Sequence, residues 1–191
     1  MLAEGIIFPD IHGRDFWKSV LCKDCGWETD TYIFLGDFFD PYKFEHISVP
    51  EAIDNFQQLM EAVKTLKSNG KEVVMLIGNH DAHYINWIFD KHIGGVRKSR
   101  YYADKIRSLL TSIPNFTHSL AYDMVIVNKR ILFTHAGVIP SWYNVHKNLI
   151  GDLTAENLNK LTYSEGGWLS LSDASWARGG YDDMAAVFML T

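Results

Sequence analysis

Four short apolar runs in this chain each end on residue types that bind metal. Ile6-Ile7-Phe8 leads through Pro9 into Asp10-Ile11-His12-Gly13, and Ile33-Phe34-Leu35 leads into Gly36-Asp37-Phe38-Phe39-Asp40. Val73 to Ile77 leads into Gly78-Asn79-His80-Asp81, and Ile131-Leu132-Phe133 leads into Thr134-His135-Ala136-Gly137. Short apolar runs bounded by glycine read as buried strands. In an α/β sheet, ligands gather at the carboxyl ends of the strands. The pattern therefore asks for a fold in which several strand ends converge on one edge and bring Asp, His and Asn together.

The rest of the chain is compatible with that demand. Residues 5–9, 31–36 and 72–77 read as strands, and 124–127 with 131–134 as a hairpin around Asn128-Lys129. Residues 13–22, 50–68, 81–90, 100–111 and 154–162 read as helices. In 50–68, Ile53, Phe56, Met60, Val63 and Leu66 recur at helical spacing, Pro50 suits the first turn, and Asn69-Gly70 is a stop signal. The order βαβαβ followed by a hairpin predicts a mixed α/β fold with helices covering the sheet. No repeat, low-complexity tract or linker divides it, so a single domain over 1–191 is expected.

Composition enters mainly by exclusion. The formal net charge of −5 argues against binding nucleic acid by bulk charge. There is no apolar run of about eighteen residues, and the start Met1-Leu2-Ala3-Glu4-Gly5 lacks the features of a signal peptide, so a cytoplasmic location is expected. Cys22 and Cys25 form a C-x-x-C without a second pair to complete a zinc site. They read as two reduced thiols; a thiol-redox role is the lesser alternative.

Asp10 and His12, two residues apart at a strand end, would project to the same side and grip one metal. Asp37 could bridge two metals through its two oxygens, with Asn79 and His135 on the second. Oxygen and imidazole donors without thiolate suit Mn, Fe, Mg or Zn. Two such ions about 3.5–4 Å apart can hold a bridging hydroxide and polarise a phosphoryl group. His80 then stands next to a ligand without being one, and Asp40 is placed to orient it, a carboxylate–histidine pair suited to protonating a leaving group.

These four motifs, in this order, resemble the calcineurin-like metallophosphoesterase superfamily over about residues 5–140. Gly13 and the His135-Ala136-Gly137 form are similar to its branch of phosphoprotein phosphatases and diadenosine tetraphosphatases. The resemblance implies a four-layer αββα sandwich of two mixed sheets flanked by helices. It implies two divalent ions, manganese first, with Fe, Zn, Mg or Ni open. Asp10, His12 and Asp37 would hold one ion, and Asp37, Asn79 and His135 the other. His80 with Asp40 would serve catalysis, and Arg178, with Arg14 second, would bind phosphate. The substrate would be a phosphoprotein, a dinucleoside polyphosphate or a small phosphomonoester, with the oligomeric state open.

The chain departs from the family pattern at three places. Pro9 replaces the usual Gly before the first Asp, and Asp40 is followed by Pro41-Tyr42 where protein phosphatases have Arg-Gly. No histidine follows His146, so the family's last metal-binding His is missing and the last strands are expected to be absent. A truncated form of a longer enzyme is one reading of that end. A metal-binding or regulatory scaffold that has lost catalysis is the alternative function. Outside the motifs, His46, His83, His92, His118 and His146 read as structural, with His83 a candidate for the mouth of the site. Asp81 reads as a helix N-cap. Trp142, Tyr143 and Trp176 read as packing rather than a stacking wall.

Overall fold

Strand β2 (Thr31–Phe34) is the centre of a parallel sheet, flanked by β1 (Ile6–Phe8) and β3 (Glu72–Met75). The structure is a computed structural model of the 191-residue chain and describes residues 5–22, 29–85, 99–135, 137–138, 140–161 and 187–190. Ile7 pairs with Ile33 and Ile33 with Val74, which sets the three strand ends level. A second sheet is antiparallel, with β5 (Lys129–Thr134) between β4 (Ala121–Ile126) and β6 (Val187–Leu190). The fold is thus mixed α/β, as expected. Among the described strands the mixture lies between the sheets, each of which keeps one sense of pairing.

Alternation along the strands shows how the layers stack. Ile33, Leu35 and Leu76 join Phe133 in one buried cluster, with Val74, Tyr122, Met124 and Ile131 packed against it. That cluster is the interface between the two sheets. Tyr32, Phe34, Val73 and Met75 alternate with those residues and belong to the other cluster, together with Ile53, Phe56, Leu59 and Val63 of helix α2 (Val49–Ser68). Period two in the strands and 3.6 in the helix thereby give each sheet face its own partner. Ser48 caps α2 reciprocally with Glu51: the Ser48 hydroxyl accepts from Glu51 N–H, and Glu51 accepts from Ser48 N–H.

The other helices are α1 (Trp17–Leu21), α3 (Asn79–Ile85), α4 (Ala103–Thr111), α5 (Pro140–Ile150) and α6 (Ala155–Asn159). Helix α6 docks on β4 through polar contacts. Asn159 accepts from the N–H groups of Leu120 and Ala121, and Asp123 accepts from Ala155 N–H.

Several element bounds differ from their sequence readings by a few residues, and α1, β4 and α5 show why. Helix α1 is shorter than 13–22, because residues 10–14 form a loop that closes on itself through Arg14 N–H to Ile11 C=O, 2.8 Å. Strand β4 starts at Ala121 rather than Met124, since Asp123 interrupts the apolar run but finds a partner in α6. Periodicity does not predict α5: Trp142 and Ile150 are buried, but Val145 and Leu149 are exposed, so its stripe is diluted.

Candidate metal centre

The ligand motifs begin where the strands stop. The loops after β1 and β2 extend the ladder beyond the strand ends: His12 N–H bonds to Asp37 C=O at 2.6 Å and Gly13 N–H to Phe38 C=O at 2.9 Å. His12, Asp37 and Asp40 all take positive φ, of 44°, 52° and 64°. Such conformations cost non-glycine residues energy and persist only where the surroundings impose them. Asp10 and His12 are therefore brought together by a left-handed turn, in place of the continuing strand that their spacing suggested. Asn79, His80 and Asp81 form the first turn of α3, and His135 follows β5 directly.

These turns gather a buried donor set. Asp37 and His12 lie with His80 in one group whose donor atoms are all within 4.8 Å of one another, and Asp37 lies with Asp10 and His135 in a second. Asp37 Oδ2 is 3.7 Å from His12 Nε2 and 3.5 Å from His135 Nε2. Both imidazoles are oriented from behind. Nδ1 of His12 bonds to Phe39 C=O at 2.9 Å, and Nδ1 of His135 bonds to Leu35 C=O at 2.8 Å. A carbonyl partner makes Nδ1 the donor and leaves Nε2 as the ligand atom, a support typical of metal-binding histidines. Asn79 Oδ1 accepts from His135 Nε2 at 2.9 Å, so an amide oxygen, an imidazole nitrogen and the Asp37 carboxylate meet at one point.

The balance of charge also fits divalent metal. Asp10, Asp37, Asp40 and Asp81 are all buried, and no buried lysine or arginine accompanies them among the described residues. Burial raises the Asp37 carboxyl, but His135, then His80 and His12, outweigh it and hold Asp37 below the ordinary carboxylate value. Burial lowers the His135 imidazole, yet Asp37 and Asp10 raise it above its ordinary value overall. These shifts favour negative charge on Asp37 and positive charge beside it, the balance that a bound cation would also satisfy. Carboxylate, imidazole and amide oxygen are donors that borderline to hard divalent ions accept.

His80 and Asp40 form a pair beside this set. His80 Nδ1 lies 2.8 Å from Asp40 Oδ2, and the His80 ring meets the His12 ring edge-on at 5.0 Å. Burial raises the Asp40 carboxyl and the bond to His80 opposes that, leaving it above its ordinary value.

Asp81 does not cap α3, contrary to the expectation from its sequence position. It lies inside α3 at 0% exposure and accepts from three N–H groups: Asp37 at 2.8 Å, Phe38 at 3.0 Å and Gly78 at 3.0 Å. It therefore ties the second ligand loop to the third. Burial, then the Asp37 charge, push its carboxyl up to about 7, while the bonds from Gly78 and Phe38 pull it down. Asp81→Ala leaves three buried donors without their acceptor. The expected result is a loss of at least about 3 kcal/mol in urea unfolding, at about 1–3 kcal/mol for each of the three stranded groups, and a 10–100-fold (order of magnitude) loss of metal affinity. An unchanged midpoint would remove this role.

Arg14 is turned toward the protein. Its Nη2 donates to Asp10 C=O at 2.6 Å, its Nε to Ile11 C=O at 3.1 Å, and its Nη1 lies 3.6 Å from Glu45. In this position it braces the loop carrying Asp10. Arg178, Trp176, Cys25 and His92 lie outside the described residues. His83 is buried beside His80, with ring centroids 6.2 Å apart. Trp142 is buried and stacks on His146 at 4.9 Å, and Tyr143 donates to Gly151 C=O, so both serve packing. Tyr84, which motif spacing did not single out, donates to Asp40. Its position one helical turn after His80 was the available signal.

Residues 6–185 match the family model of calcineurin-like phosphoesterases. The chain belongs to that family. Among solved structures, the calcineurin-like phosphoesterase chain is similar to a cold-active protein-tyrosine phosphatase of a psychrophile, Shewanella sp., at 17% identity and a TM-score of 0.44, over 83% of this chain and 50% of that one. A further structure of a cold-active protein tyrosine phosphatase aligns at 18% identity and a TM-score of 0.43, over 83% of this chain and 48% of that one. The chain thus spans about half the length of those structures. Among curated proteins, none matches the chain. No helix among the described residues is long and apolar enough to cross a membrane.

Proposed function

We propose that this calcineurin-like phosphoesterase hydrolyses phosphoric esters at a dinuclear divalent-metal centre. The observation that carries this reading is that Asp37 belongs to both buried donor groups. Asp10, His12 and Asp37 would hold one ion, and Asp37, Asn79 and His135 the other, with manganese the first choice; this division differs from the two donor groups in assigning Asp10 to His12, 3.8 Å away, instead of to His135, and in keeping His80 for catalysis. When bound, the ions supply Lewis acidity, polarising phosphoryl oxygens and acidifying water.

The chain's own groups do the rest. His80 N–H donates to Asp37 Oδ1 at 2.7 Å and so fixes the plane of the shared carboxylate. The carbonyls of Phe39 and Leu35 keep His12 and His135 in the tautomer that exposes Nε2. His80, with Nδ1 held by Asp40, carries a transferable proton on Nε2 for the leaving oxygen, and Asp40 stabilises the imidazolium. Arg178 is the arginine proposed to contact phosphate; Arg14, whose guanidinium is turned back to the Asp10 and Ile11 carbonyls, would have to leave them to do so. Phosphoproteins, dinucleoside polyphosphates and small phosphomonoesters all present the required group.

The test is metal content together with turnover of an aryl phosphate. Purified without chelator, the chain should carry two divalent ions. Chelation should stop turnover, and added Mn²⁺ should restore it. Two bound ions with no turnover at any metal level would favour the scaffold reading. Failure to bind metal at all would overturn both. Thiol-dependent turnover insensitive to chelator would point to Cys22 and Cys25 instead.

A further inference from the structure

Tyr84 sits on α3 one turn beyond His80 and is 2% exposed. Its hydroxyl donates to Asp40 Oδ1 in a short hydrogen bond, while Asp40 Oδ2 meets His80 Nδ1 at 2.8 Å. The two carboxylate oxygens of Asp40 are thus divided between a phenol and an imidazole. The phenol is itself anchored. Its oxygen accepts from Ser99 N–H at 2.9 Å, and the Tyr84 carbonyl accepts from Arg107 Nε of α4 at 2.7 Å. Its ring packs edge-on to Phe39, the residue before Asp40, at 6.3 Å.

Asp40 needs such an anchor. It lies in a loop with a left-handed backbone, at φ 64°, outside any helix or strand. A carboxylate held from one side can rotate about its terminal torsion, which is broad and soft. A second hydrogen bond to the opposite oxygen fixes its plane. Because imidazole orientation follows its Nδ1 partner, fixing the carboxylate fixes where His80 Nε2 points.

We propose that Tyr84 is a positioning residue that acts through Asp40 to hold the His80 imidazole in its proton-donating orientation. The inference rests on the assignment of His80 above, and it adds a third member and an anchor on α4 to the His80–Asp40 pair. The proton path is unchanged: as water oxygen bonds to phosphorus and the ester P–O bond breaks, the His80 Nε2 proton passes to the leaving oxygen. Tyr84 keeps its own proton.

Tyr84→Phe tests this, because it removes one oxygen and keeps the ring packing. Two readouts are needed. In ¹H–¹⁵N spectra of imidazole nitrogens, the His80 Nδ1–H resonance should shift and exchange faster with solvent in the variant. This readout needs no turnover. In Mn²⁺-loaded protein, kcat for an alkyl phosphomonoester should fall about 10-fold or more, in the range for a lost supporting contact. For 4-nitrophenyl phosphate it should change by less than about 2-fold, since a good leaving group needs little protonation. KM should hold for both esters. An unmoved His80 resonance, or equal losses on both esters, would overturn the proposal. If the resonance moves as expected but the parent protein turns over neither ester, the positioning contact stands and the hydrolase reading falls.

Discussion

Asp37→Ala is expected to reduce phosphoester turnover by more than about 100-fold, the upper end of what losing a supporting residue does to a metal site, and to remove both ions. The reason is position. Asp37 Oδ2 faces His12 Nε2 at 3.7 Å and His135 Nε2 at 3.5 Å, and Oδ1 accepts from His80 N–H at 2.7 Å. One side chain thus belongs to both ligand groups and also seats the first turn of α3. Asp10 and Asn79 each serve one proposed ion, so Asp10→Ala or Asn79→Ala should leave one ion bound. Asp37→Asn keeps an acceptor for His80 N–H while weakening the ligand, and so separates folding from metal binding. Metal analysis and kcat/KM on the three sites check the ranking. Two ions retained in Asp37→Ala would end the shared-ligand reading.

Gly78→Ala is expected to cost about 3 kcal/mol, the upper range for overpacking, and to lower metal content at the same time. The turns after β2 and β3 touch. A Cβ on Gly78 would stand 2.7 Å from Asp37 Cγ and closer still to its Oδ1 and backbone N. On the other side, a Cβ on Gly36 would meet Gly78 Cα at 2.8 Å, and Gly36 also holds φ at +105°. Neither neighbour can give way, because Asp81 pins the N–H groups of Asp37, Phe38 and Gly78 together. The methyl therefore displaces the Asp37 carboxylate, the proposed shared ligand. Gly5→Ala is the control: a Cβ there meets only ordinary contacts of 3.6–3.7 Å, so its midpoint should move by less than about 0.5 kcal/mol. Equal midpoints for Gly78→Ala and Gly5→Ala would show that the loops are more compliant than these contacts imply.

Much of this architecture is legible in the sequence for a local reason. Val73 to Ile77 before Gly78 reads as a strand because apolar run and breaker are neighbours in the chain. The helix 50–68 declares itself through spacing, and the structure runs it over Val49–Ser68. Helix α5 escapes because its exposed Val145 and Leu149 blur the stripe on which periodicity depends. The donor residues Asp10, His12, Asp37, Asn79 and His135 stand out because each follows an apolar run, and the structure gathers them in one buried place.

Asp81, Tyr84 and Arg14 have no comparable signature. Asp81 contacts the N–H of a residue 44 positions earlier, and Tyr84 reaches Asp40 across the same separation. Arg14 turns back to the carbonyl of Asp10 because the left-handed turn at His12 points it there. The residue types and their order along the chain are enough to name a candidate metal-binding set, because strand-end chemistry is written in neighbouring letters. Which nitrogen of each histidine faces inward, which carboxylate is shared and which acid ties the loops together depend on the level register of β1, β2 and β3. That register brings distant loops within hydrogen-bond reach, and no local pattern encodes it.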